Sequence, residues 1–200
     1  MIGAIKEVFK MSWPSLAVLL SILIIMRVTA YIRGERSKFV IHEEIFNLLF
    51  IAYLIILFQL VTSQDIQAYN STNFMPFREI LRYDFGTTAF YKQVMGNILL
   101  FIPFGYFASS YCKIKGLGTI TLVAMLSSLV IEFTQHFIGR SFDVDDIILN
   151  VFGSIIGFLL FISLNAIRTH LPKILRKDWF LNIISIGILV IIIIYLIKII

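Results

Sequence analysis

Apolar runs close to membrane-spanning length alternate with short polar stretches along the whole chain. Trp13 to Ile32, Ile45 to Val61, Val94 to Tyr111, Leu117 to Phe137, Asp143 to Arg168 and Phe180 to Ile197 each come near the roughly 20 residues that a helix needs to cross a bilayer. The pattern predicts an all-α, polytopic membrane helix bundle of about six transmembrane helices. Pro14 fits the opening turn of the first span, and Arg27 near its end is placed to snorkel to the headgroups. Pro103 and Gly105 interrupt the third span and predict a kink. The long connection from Thr62 to Gln93 breaks the alternation. Within it Phe77, Leu81 and Phe85 recur at i, i+4 and i+8 after Pro76, with Arg78 and Arg82 on one flank, which predicts a short amphipathic interfacial helix between the second and third spans. No internal repeat is evident.

Composition agrees with that pattern. Apolar types make up 59% of the 200 residues and charged types 14%, against roughly 45–50% and about 25% in soluble proteins. The length accommodates one membrane domain over residues 1–200 and no separate soluble domain. The net charge of +5 does not point to nucleic acid, because Lys and Arg flank the apolar runs, where they anchor helices at the lipid surface. The single Cys112 excludes an intramolecular disulfide and a CxxC pattern. Met1 to Lys10 lacks a signal-peptide layout, so the first run is expected to be a retained helix. The basic residues Arg33, Arg36, Lys38, Lys113, Lys115, Arg168, Lys173, Arg176 and Lys177 outnumber those on the opposite side. The positive-inside bias therefore places them in the cytoplasm, and the long connection and the Gly139-Arg140 turn outside.

The stretch from Ser127 to Gly157 departs from this lipid-compatible composition, with a glutamate, a histidine, an arginine and three aspartates. Charges at membrane depth are costly and mark functional sites unless paired. At 100° per residue Ser128, Glu132, Gln135, His136 and Gly139 share an arc of roughly 100° on the fourth helix. Asp143, Asp146, Asn150, Gly153 and Gly157 share about 80° on the fifth, and Asp145 points away from that stripe. A tight Gly139-Arg140-Ser141 turn makes the two helices antiparallel neighbours, so the stripes can face each other. Asn97 on the third helix can add an amide. The candidate ligand-binding residues are Asn97, Glu132, Gln135, His136, Arg140, Asp143, Asp146 and Asn150, with Arg78 and Arg82 from the long connection. Catalytic candidates are Glu132, Asp146 and Arg140.

Structural roles compete at each position. Gly153-x-x-x-Gly157 with Ser154 suits close helix packing. Asn97 and Asn150 suit interhelical hydrogen bonds, and Asp143 suits a helix N-cap, with Arg140 as its ion-pair partner. Arg78 and Arg82 read either as headgroup anchors or as a phosphate grip. His136 stands four residues after Glu132, the spacing of two metal ligands on one face, but there is no HExxH. No metal and no cofactor is assigned.

The segments Asn97-Ile98-Leu99-Leu100-Phe101-Ile102-Pro103-Phe104-Gly105, Ile131-Glu132-Phe133-Thr134-Gln135, Gly139-Arg140-Ser141-Phe142-Asp143-Val144-Asp145-Asp146 and Asn150-Val151-Phe152-Gly153, preceded by Asn73 to Phe77, resemble the VanZ-like family. Its founding member is associated with teicoplanin resistance. The resemblance covers roughly Asn73 to Leu160. It implies a bacterial plasma-membrane protein with a cell-envelope role and no settled reaction. Three functions follow as expectations: binding or shielding of a lipid-linked or phosphate-bearing envelope component in an outward-facing polar pocket, an intramembrane enzyme acting on a lipid or polyprenyl phosphate, or a transporter or flippase. The expected partners are membrane lipids, with a cell-wall precursor lipid or a glycopeptide as the specific ligand. The oligomeric state is left open.

Overall fold

Long apolar sequences with few helix breakers satisfy their backbone groups internally, which in lipid leaves the α-helix as the only open-chain solution. The computed structural model describes residue 21, residues 40–63 and residues 72–199, and among them only helices and loops occur, with no strand. The helices are α1 (Ile41–Ser63), α2 (Thr88–Tyr111), α3 (Leu117–Phe137), α4 (Val144–His170) and α5 (Asp178–Ile199). By length and composition four of them can cross a membrane: Ile41–Leu60 of α1, and α2, α3 and α4. These coincide with the second to fifth expected spans. The first expected span, Trp13 to Ile32, lies outside the described residues. The sixth falls on α5, whose described stretch Asp178–Ile191 is a shorter apolar helix.

Two compact units are present, one of them Val61–Thr169. In the other, α1 is tied to α5 by Asn182 Oδ1, which accepts from the backbone N–H of His42 and from its Nδ1, each at 2.9 Å.

Within Val61–Thr169, α2 and α4 approach so closely that glycine is required at the crossing. A Cβ on Gly153 would collide with the backbone of Ile98, and one on Gly157 with the backbones of Ile102 and Tyr106. From α2, a Cβ on Gly105 would strike the backbone of Ser154. The Gly153-x-x-x-Gly157 packing face therefore meets α2, as small residues do where backbones touch. At one end of the unit Ile114, Ile120 and Phe158 form an apolar cluster, with Ala108 and Val123 against it.

Two of the expected features come out differently. The third span starts earlier than Val94: α2 begins at Thr88, capped by the Thr87 hydroxyl, and passes through a π-helical turn at Tyr91–Met95 before continuing over Gly96–Tyr111 with Pro103 inside it. The interfacial helix from Phe77 to Phe85 is reduced to a 3-10 turn, Ile80–Arg82. The cause is local. Phe77 has φ 66°, outside the right-handed helical region, and the segment after it is fixed by N–H groups of Phe77, Glu79 and Ile80 that donate to a carboxylate from α4. Within the long connection, Asn73 pairs with the chain before α4, as described next.

Candidate functional site

The α3–α4 connection is built by its caps. Gly139, at φ 90°, closes α3 in a Schellman arrangement: its N–H donates to His136 O (3.1 Å) and the Arg140 N–H to Gln135 O (2.9 Å). Asp143 then opens α4, its Oδ1 accepting from the Asp145 N–H at 2.9 Å. The capping role expected for Asp143 is present. Its own N–H donates to Glu132 Oε2 (3.0 Å), so the end of α3 and the start of α4 are joined through a buried carboxylate.

Asn73 adds a third segment. Its N–H donates to Phe142 O (2.8 Å) and its carbonyl accepts from Val144 N–H (3.1 Å), forming an isolated parallel bridge with Asp143. Its side-chain Nδ2 donates to Asp143 Oδ1 (3.0 Å), and its Oδ1 accepts from Met75 N–H (3.2 Å). Phe142 also stacks between Phe74 and Phe133, at 5.6 and 5.7 Å. Immediately beyond, Asp145 receives the Phe77 N–H at Oδ1 (2.5 Å) and the Glu79 and Ile80 N–H groups at Oδ2 (2.6 and 3.1 Å). Asp145 is only 1% exposed. It does turn away from the Asp146–Asn150 stripe, and the loop lies over it.

The facing stripes meet as the helical phase predicts. Gln135, with its amide oriented to suit its neighbours, donates from Nε2 to Glu132 Oε1 (3.1 Å) and accepts from the Arg140 guanidinium at Oε1. Asn97 Nδ2 donates to Asp146 Oδ1 at 2.5 Å, bringing α2 into the site. One turn further along α4, Asn150 Nδ2 donates to Ser128 Oγ on α3 (2.8 Å), and its backbone carbonyl accepts from Ser154 Oγ (2.8 Å). Asn150 Oδ1 is buried and has no partner. The carboxylates of Glu132, Asp143 and Asp146 interact electrostatically with one another and, for Glu132 and Asp146, with Arg140.

Outside the spanning segments, burial pushes the Asp143 carboxyl above the usual carboxylate range, against the pull of the Asp145 and Asn73 hydrogen bonds. Burial and then the Glu79 carboxylate raise the Tyr83 phenol, with smaller pushes from Asp146 and Asp143. The loop thus carries Tyr83 into the field of the α4 carboxylates.

Not all expected residues join this network. His136 is exposed, at the edge of the α3 arc and away from the buried side of Glu132 and Gln135. Arg78 is exposed, and the exposed Arg82 pairs with Glu79 at 3.1 Å. Arg140 bonds to Gln135, and among the described residues it forms no ion pair with Asp143. Nor, among them, do three or more His, Cys, Asp or Glu converge as metal ligands. Asn73, Tyr83 and Asp145 were absent from the expected set. The signal for Asn73 and Asp145 was in the sequence, in the resemblance segments that hold both, but their contact spans some seventy residues and no periodicity reports it.

Four helices long and apolar enough to cross a membrane, with carboxylates held by amides between three of them, mark a helical membrane protein with a polar interhelical site. The chain belongs to the VanZ/LLP1 family, whose model matches residues 44–166. Comparison with curated proteins and with solved structures returns no match.

Proposed function

We propose that this protein is a bacterial plasma-membrane protein of six spans that holds the polar headgroup of an envelope lipid at the α2–α3–α4 site, on the extracytoplasmic side, and so protects the envelope from a glycopeptide such as teicoplanin. One observation carries the reading: Asp146 and Glu132 are fixed by amide donors from Asn97 and Gln135 beside the Arg140 guanidinium. Intramembrane charges so arranged are expensive and are retained where they contact a polar ligand or pathway. Arg140 supplies a planar donor fork for a phosphate, and Tyr83 lies in the field of Asp146.

The test is teicoplanin protection in a susceptible Gram-positive host. Asp146→Asn and Arg140→Gln should abolish protection at unchanged membrane abundance, and full protection by both variants removes the assignment. Glu132→Gln should do the same, with a greater loss of abundance, because Glu132 also accepts the Asp143 N–H.

A second reading, an enzyme acting on a lipid or polyprenyl phosphate, is favoured by the mutual interaction of Glu132, Asp146 and Arg140. A carboxylate would serve as general base and the guanidinium would steady phosphate charge. Turnover of a labelled lipid phosphate by the purified protein, lost in Asp146→Asn, would promote this reading over simple binding.

A further inference from the structure

A site reveals its ligand through the valences it leaves open, because a buried polar group without a partner costs free energy until something supplies one. Four carboxylates gather at this end of the unit, and they are not equally satisfied. Asp145 is filled by three backbone N–H groups. Asp143 takes two donors, from Asn73 and from its own helix start, both at Oδ1, and its half-buried Oδ2 is left unfilled at the loop side. Glu132 receives a donor on each oxygen, from the Asp143 N–H and from Gln135. Asp146 receives a single hydrogen bond, at Oδ1 from Asn97.

A second acceptor on the same helix is unfilled and, unlike Asp146 Oδ2, fully buried. Asn150, four residues after Asp146 and therefore on the same face of α4, is 4% exposed and commits its Nδ2 to Ser128. Its Oδ1 accepts nothing. Turning the amide over does not cure this, since Ser128 can then donate to Oδ1 but Nδ2 is left without an acceptor. Both open groups, Asp146 Oδ2 and Asn150 Oδ1, are acceptors, and one belongs to a carboxyl group. The described acidic groups do not converge as a metal-ligand set. A ligand bearing N–H donors would fill both. A bare phosphate, which only accepts when fully ionised, suits Arg140 and neither of these atoms.

We infer that the site takes a headgroup bearing a primary ammonium, seated against Asp146 Oδ2 and Asn150 Oδ1, with the adjoining phosphate toward Arg140. The inference rests on the headgroup-binding reading above and narrows it from any phosphate-bearing component to an aminophospholipid-like zwitterion. Three N–H donors on one compact cation suit two acceptors carried one helical turn apart on α4. A charge-assisted bond to a carboxylate in a low-dielectric setting gives most of the discrimination. Trimethylation of the amine removes every donor while keeping the charge, so the headgroup series itself separates charge from hydrogen bonding.

Purified full-length protein in detergent is titrated with phosphatidylethanolamine, phosphatidylcholine and phosphatidic acid of identical acyl chains, with binding read by native mass spectrometry. Phosphatidylethanolamine should bind about tenfold or more tightly than either of the others, the equivalent of about 1.4 kcal/mol or more. Asp146→Asn should bring it to near parity with phosphatidylcholine. Asn150→Leu provides a second variant that fills the same volume without the acceptor, and it too should reduce the preference. Soluble O-phosphoethanolamine in competition distinguishes the source: displacement points to the headgroup chemistry alone, and its failure to displace points to the intact lipid. Equal binding of phosphatidic acid and phosphatidylethanolamine, or an undiminished preference in both variants, overturns the ammonium assignment while headgroup binding stands. Absence of saturable binding by all three lipids overturns both.

Discussion

Asp145 Oδ1 lies 2.5 Å from the amide nitrogen of Phe77, and this contact closes the first of three backbone hydrogen bonds that fasten the loop after Pro76 to the start of α4. A carboxylate accepting several N–H groups is the strong form of this interaction, and its removal leaves buried donors unmet. Asp145→Ala should therefore lower unfolding stability by about 3 kcal/mol, and should do so by releasing the loop first. Limited proteolysis between Phe74 and Phe90 before any loss of helix content would show that order. Asp145→Asn, which retains one acceptor oxygen, should fall between the two.

Most of the helical framework and part of the site are legible in the sequence, for different physical reasons. Hydrophobic runs report the lengths of α3 and α4 closely, and the C-terminal part of α2, because lipid leaves the backbone no alternative to helix. The 100° periodicity placed Glu132 and Gln135 opposite Asp143, Asp146 and Asn150 because both helices are regular and joined by a short turn. Periodicity was misleading for His136, which falls at the edge of the α3 arc, where a small angular difference separates a buried side chain from an exposed one. It was also misleading over Phe77 to Phe85, where the i, i+4, i+8 apolar repeat is real but Phe77 takes φ 66°, outside the helical region, and only a single 3-10 turn follows it. Contacts such as Asn73 with Asp143 are non-local, and helical phase carries no information about them.

Gly153, Gly157 and Gly105 form the α2–α4 crossing, so their substitution tests packing apart from chemistry. Gly153→Ala or Gly157→Ala places a methyl group on the backbone of Ile98 or Ile102. Each should cost about 1–3 kcal/mol or more through overpacking, measured as a fall in melting temperature in detergent. Gly118 and Gly187 provide the control. A Cβ at either meets nothing within 4 Å, so alanine there should be neutral or stabilising by up to about 1 kcal/mol from helix propensity.

The raised carboxyl of Asp143 has a defined sign in a pH experiment. A group that binds its proton more tightly when folded makes the folded state most favourable below the ordinary carboxylate value, and that contribution is lost as pH rises through the folded value. Asparagine caps a helix as well as aspartate does and does not titrate. The melting temperature of Asp143→Asn relative to wild type should therefore rise as pH increases from the acidic range to neutrality. A difference that is flat in pH would mean that burial does not penalise the Asp143 charge.

The loop presents apolar side chains outward while it is pinned from beneath. Leu81 is 81% and Phe85 85% exposed, with Phe74, Met75 and Phe77 also exposed and Arg78 and Arg82 among them. Large apolar side chains interleaved with arginine at the end of a transmembrane unit suit the boundary between headgroups and acyl chains, where the rings and aliphatic groups leave water and the guanidinium groups remain hydrated. A single tryptophan reports the depth directly. In a background with Trp13→Phe and Trp179→Phe, Leu81→Trp should be quenched strongly by lipids brominated on the acyl chains and weakly by aqueous acrylamide. The reverse order of quenching would place the loop in water and remove it from the bilayer surface. In that case Arg78 and Arg82 would have no lipid phosphate within reach, and any headgroup at Asp146 would have to be gripped by Arg140 alone.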